Sequence, residues 1–137
     1  MSATLVALLG FVLWTMLLLF GVINWRGLQV MFGGKRIDAF PADGPHEGPN
    51  WYPRLLRAHL NCLETLPLFA VVALTAAVTG RIGVTDTLAP WVLYARIAQS
   101  TIHLLLVHPQ LIWLRFAAFL TQFVLIAWMA VRLLGWA

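Results

Sequence analysis

The stretch from Ala3 to Asn24, ATLVALLGFVLWTMLLLFGVIN, contains no ionisable side chain. At about 1.5 Å of rise per residue it is long enough, as a helix, to cross the ~30 Å hydrocarbon core of a bilayer. It lacks the basic start and small-residue cleavage site of a signal peptide, and its apolar run is too long for one. Trp25 and Arg26 follow as an interfacial anchor. A chain that opens this way must satisfy its backbone polar groups internally, so the remaining apolar runs are read as helices too.

Three more runs follow. The second span covers about 54–79, the third about 87–107 and the fourth about 111–134, with the first at 3–24. Pro67 lies inside the second span and cannot donate to the carbonyl of Leu63, which predicts a kink. The link GRIGVTD turns the chain back into the third span, and His108-Pro109 breaks that span. Phe40 to Pro53, FPADGPHEGPNWYP, is rich in Pro and Gly and reads as a loop, with Lys35 and Arg36 just before it as headgroup anchors. The expectation is an all-α, integral membrane four-helix bundle forming one domain over residues 1–137.

Only 10% of the residues are charged, against about a quarter in ordinary soluble domains, while 61% are hydrophobic. That much apolar surface requires cover by lipid, by partner subunits or by both. The net charge of +4 does not imply nucleic-acid binding, because the basic residues form no run and lie beside or within the spans. Cys62 is the only cysteine, so an internal disulfide and a cysteine-based metal cluster are excluded; it reads as a small packed apolar residue. His59 and His103 stand alone, without metal-ligand spacing, and no metal is expected.

Four spans put both termini on one side. Arg26, Lys35, Arg36 and Arg54 surround the first loop, whereas the terminal side carries only Arg81 and Arg132 at its margins. The positive-inside rule therefore assigns the first and third loops to the cytoplasm.

Ionisable residues within spans cost about 2.5–3.5 kcal/mol each near a helix centre on insertion scales, and this chain has six: Arg57, His59, Glu64, Arg96, His103 and Arg115. At 100° per residue, Arg57, Asn61 and Glu64 fall within about 60° of one another, and His59 points the opposite way. Arg96, Gln99, Ser100 and His103 form a second polar face at spacings of three, four and seven. Alternating span direction puts Arg57, His103 and Arg115 at similar depth, with Glu64 meeting Arg96 nearer the middle. A purely structural polar seam accounts for one ion pair. Three arginines around one acid leave positive charge that calls for an anion, either a lipid headgroup or a small anionic ligand.

The segment Arg54 to Phe69, RLLRAHLNCLETLPLF, resembles the second-helix hallmark of the MAPEG family, the membrane-associated proteins in eicosanoid and glutathione metabolism. Arg57, Ala58, His59, Asn61, Glu64, Pro67 and Phe69 carry the likeness, which extends more loosely through four spans, a long first loop and the segment ARIAQSTIH. The resemblance implies a homotrimer that binds glutathione in clefts between subunits, on the cytoplasmic half. It implies that Arg57, Asn61, Glu64 and Arg96 hold the tripeptide, with Gln99 and His103 at the next contact positions. It further implies that Arg115 stands beside the thiol as the catalytic group. Arginines suit the two carboxylates of glutathione, Glu64 its ammonium, and a guanidinium near sulfur favours the nucleophilic thiolate.

Glutathione would then be the co-substrate of a microsomal glutathione transferase-like enzyme, conjugating or reducing a hydrophobic or lipid electrophile from the surrounding membrane lipids. Phe116 and Phe119 occupy fourth-helix positions where several members carry a hydroxyl, His103 replaces a tyrosine and Leu60 an arginine. The family also includes a lipid-binding member without known catalysis, so a non-enzymatic membrane lipid-binding protein is the alternative.

Overall fold

The structure, a computed structural model, describes residues 1–34, 51–105 and 109–136. Lys35, Arg36, most of the Pro- and Gly-rich segment, the end of the third span at 106–107 and His108 lie outside the described residues. Four helices account for nearly everything else: α1 (Ala3–Phe32), α2 (Trp51–Val78), α3 (Ala89–Leu105) and α4 (Leu111–Leu134). A 3-10 turn at Ile82–Val84 lies between α2 and α3.

Two boundaries differ from the sequence reading. Helix α1 does not close at Trp25 but continues to Phe32, because Trp25 and Arg26 pack against the start of α2. Arg26 Nε donates to the Tyr52 hydroxyl at 2.7 Å, and the Trp25 ring meets Trp51 edge-on at 5.0 Å. Helix α2 begins at Trp51 rather than near Arg54, taking Pro53 into its first turn. There proline is tolerated, since the first N–H groups of a helix have no intrahelical acceptor. Helix α2 also runs on through Pro67.

Hydrogen bonds at one end of the bundle join the two termini to the α2–α3 link. Asp86 Oδ1 accepts from Thr4 N at 3.0 Å and from Thr4 Oγ1 at 2.6 Å, placing a carboxylate at the positive end of α1. Arg81 Nη2 donates to Arg132 O at 3.1 Å and Nη1 donates to Leu133 O, so a cation sits on the last-turn carbonyls of α4. Helices α2 and α4 both end in a left-handed glycine, Gly80 (φ 70°) and Gly135 (φ 81°), and in each case the next residue donates back to the helix. The opposite end holds the Trp25–Trp51–Tyr52 cluster and Arg54, whose Nη1 donates to Leu104 O at 3.3 Å.

Asp86→Ala removes the oxygen that accepts both of these bonds from Thr4. It is expected to cost about 1–2 kcal/mol, the scale of a lost N-cap, and to lower the thermal unfolding midpoint of the protein in detergent. Asp86→Asn, which keeps that acceptor oxygen but loses the negative charge at the α1 N-terminus, should fall between Asp86→Ala and the unmutated protein.

Helix α3 contacts all three other helices, and this central position buries its polar face: Arg96, Gln99 and Ser100. Helix α4 is the reverse case. Among its residues only Gln122, Ile126 and Met129 are buried, while Phe116, Phe119, Leu120, Phe123, Val124 and Trp128 are exposed. Leu13, Leu17 and Phe20 of α1 are exposed as well. Apolar belts of this size need a non-aqueous surrounding. Helices α1, α2 and α4 are each long and apolar enough to cross a membrane; α3, with 17 described residues, is shorter.

Candidate functional site

The stripe read on α2 faces the same space as the polar ends of α3 and α4. Arg57, Asn61 and Glu64 of α2, Gln99 and His103 of α3, and Arg115 of α4 line one cavity of about 410 Å³, together with Ile112, Phe116 and Phe119 of α4. The helical phase explains the grouping, since positions three, four and seven apart share a face. Arg57 and Glu64 are solvent-exposed in the isolated chain, whereas Gln99 is buried. One wall of the cavity is therefore open.

Arg115 and His103 are joined across the cavity floor, Nη1 of the guanidinium donating to Nδ1 of the imidazole. A guanidinium can only donate, so Nδ1 must be the unprotonated nitrogen and His103 carries its proton on Nε2. Gln99 Oε1 accepts from Gln122 Nε2 at 2.9 Å, and the same Nε2 donates to Ala118 O at 3.0 Å.

Arg96 does not meet Glu64. Its Nη2 donates to Thr65 Oγ1 at 2.6 Å, its guanidinium lies 5.8 Å from the Phe11 ring centroid, and its side chain is 1% exposed. Consecutive residues are turned by 100° on a helix, and α3 packs on the face that carries Thr65. Glu64 is thereby left looking outward. Arg96 lies behind the main cavity and lines a void of about 50 Å³ with Asn61, Gln99, Ser100, His103 and Arg115. Its Nε has no hydrogen-bond partner among the described residues.

His59 is buried against α1, with Nδ1 3.3 Å from Thr15 O, well away from the stripe of Arg57, Asn61 and Glu64. Cys62 is fully buried, 3.7 Å from Ser100 Oγ. Among the described residues no group of three or more His, Cys, Asp and Glu side chains comes together as a metal site would require.

Two polar residues of this region escaped the sequence reading. Thr65 is the partner of Arg96, and Gln122 is the partner of Gln99. Gln122 had a legible signal: it follows Arg115 by seven positions, on the same face of an otherwise apolar helix. Next to the polar cavity, α2 and α4 form an apolar cleft of about 560 Å³, lined by residues including Pro67, Leu68, Val71, Phe123 and Ile126. Glu64 and Phe119 line both spaces.

A bundle of four helices with an apolar exterior and a cationic cavity let into its side defines a helical membrane protein with a polar side cavity. The family model of MAPEG matches residues 4–135, and the chain belongs to the MAPEG family. No curated protein and no solved structure gives a significant match to it.

Proposed function

We propose that this protein is a membrane glutathione transferase or glutathione-dependent peroxidase acting on hydrophobic electrophiles. The observation that carries the proposal is the convergence of Arg57, Asn61, Glu64, Gln99, His103 and Arg115 on one cavity that adjoins an apolar cleft. Family membership supports a role in glutathione-related or eicosanoid metabolism. The charges fit a tripeptide with two carboxylates and one ammonium. Arg57 offers a forked donor to a carboxylate, Glu64 accepts from the ammonium, and the Arg115 guanidinium is left for the thiol. Arg96, behind the cavity, adds positive charge to the site without having to touch the ligand.

In the conjugation reaction the glutathione thiolate forms a bond from sulfur to an electrophilic carbon. The electron pair leaves with the departing group, or takes up a proton where the electrophile adds without a leaving group. In the peroxide reaction the thiolate attacks the terminal peroxide oxygen, releasing an alcohol and a sulfenic acid. A second glutathione converts that acid to the disulfide and water. Arg115 would stabilise the thiolate in both. The electrophile would enter from lipid through the apolar cleft.

The open wall of the cavity and the bare apolar face of α4 suit a homotrimer in which a neighbouring subunit closes the site. The loops nearest the cavity would face the cytoplasm. Phe116 and Phe119 favour a second reading: with no hydroxyl at these positions, the protein binds a lipid in the cleft and presents it without chemistry.

Glutathione titration of detergent-purified protein, followed by thiolate absorbance and with mass measured in the same mild detergent, tests the proposal. Saturable thiolate signal from a trimer is the expected result. A monomer that binds glutathione would remove the shared site, and binding without thiolate or turnover would leave the lipid-presenting reading.

A further inference from the structure

The two neutral polar side chains of the α3 wall are both held by α4 in a way that fixes which atoms they can offer a ligand. Ala118 O is a carbonyl and can only accept. The atom of Gln122 that faces it must be Nε2, and the second hydrogen of Nε2 goes to Gln99, which must present Oε1. The oxygen of Gln99 is thereby turned toward α4, and its amide hydrogens are left for the cavity that Gln99 lines. His103 is constrained in the same sense, since Arg115 occupies Nδ1 and leaves Nε2–H.

This arrangement carries a cost: Gln122 Oε1 is buried without a hydrogen-bond partner among the described residues. Turning the amide over would relieve that oxygen only by setting it against Ala118 O. The local backbone of α4 therefore decides the polarity of a side chain on α3.

We infer that Gln122 is a positioning residue that makes the α3–α4 wall of the cavity a surface of donors only, and so selects carboxylates over carboxamides in the bound ligand. The inference rests on the glutathione reading above and deepens it. The wall takes the carboxylate-bearing part of the ligand because Gln99 and His103 both donate there, while Glu64 on α2 is the acidic acceptor. A carboxamide would set its own N–H groups against that wall. Gln122 borders the apolar cleft and acts on the polar ligand only through Gln99.

The test compares dissociation constants for glutathione and for its analogue with both carboxylates converted to carboxamides, measured by calorimetry on detergent-purified protein. The unmutated protein should prefer glutathione. Gln122→Met, similar in shape but unable to donate, frees the Gln99 amide to turn, and the preference should fall by about two- to tenfold, the worth of one net hydrogen bond. Gln122→Glu offers acceptors, turns Gln99 oxygen-first toward the cavity and should lower the preference further. In a Gln99→Met background the Gln122→Met change should have no additional effect on the ratio.

If Gln122 only fills space, both ligands weaken equally; an unchanged ratio in Gln122→Met or Gln122→Glu overturns the inference and leaves the glutathione reading standing. If the unmutated protein binds neither ligand, the glutathione reading falls and this inference falls with it.

Discussion

Arg115→Leu should cut turnover at neutral pH while leaving glutathione bound. If the Arg115 guanidinium favours thiolate over thiol, its removal raises the pKa of the bound thiol, and each unit of that rise lowers the thiolate fraction about tenfold at fixed pH. The remaining contacts of Arg57, Asn61 and Glu64 still hold the tripeptide, so the loss belongs in kcat rather than in binding. Activity should recover in part as pH rises, because solvent then supplies the thiolate that the arginine no longer favours. Arg115→Lys should be intermediate, since it keeps the charge and loses the planar fork that reaches His103 Nδ1. The measurement is a pH profile of turnover with a generic aromatic electrophile and, separately, with a lipid hydroperoxide. A profile that drops uniformly at every pH would show that Arg115 is not acting on thiol ionisation.

The second large effect is on affinity. Glu64→Gln and Arg57→Ala should each weaken glutathione binding by about 1.5–3 kcal/mol, the scale of a hydrogen bond to a charged group. That is about ten- to a hundredfold in the dissociation constant. Both side chains are exposed at the cavity edge in the single chain, so neither change should disturb the bundle. His59→Ala is the contrasting case. His59 is buried against α1 with its ring nitrogen on Thr15 O, and its removal should lower thermal stability while leaving affinity nearly unchanged. Calorimetric titration of the three variants, alongside thermal unfolding in the same detergent, separates the effects. Equal loss of affinity at all three positions would contradict the helix phase on which the site is built.

Helix α2 shows how much of this arrangement is written locally. Its stripe of Arg57, Asn61 and Glu64 follows from 100° per residue alone, and so does the turning away of His59. The membrane setting was equally local, because a charge-free run such as Ala3 to Asn24 has few other stable solutions. Helix ends were less legible. Trp25 and Arg26 look like a stop when read along the chain, yet their contacts with Trp51 and Tyr52 carry α1 on to Phe32. Those partners lie 26 residues further along the chain, outside the reach of any local pattern.

Partner choice among the buried polar groups depended entirely on how the helices dock. Charge alone pairs Arg96 with Glu64, the one acid within a span. Docking of α3 on the neighbouring face of α2 gives Arg96 to Thr65 instead and leaves Glu64 facing outward. The Gln99–Gln122 and His103–Arg115 contacts likewise needed the packing of α3 on α4. The sequence by itself determined the helical membrane class, the family and the residues that share a helix face, because these depend on hydropathy and on the 3.6-residue period. Only the tertiary structure decided which polar atoms meet and which remain open to a ligand, because a hydrogen bond is set by separations of about 3 Å, and helical phase does not specify distances between helices.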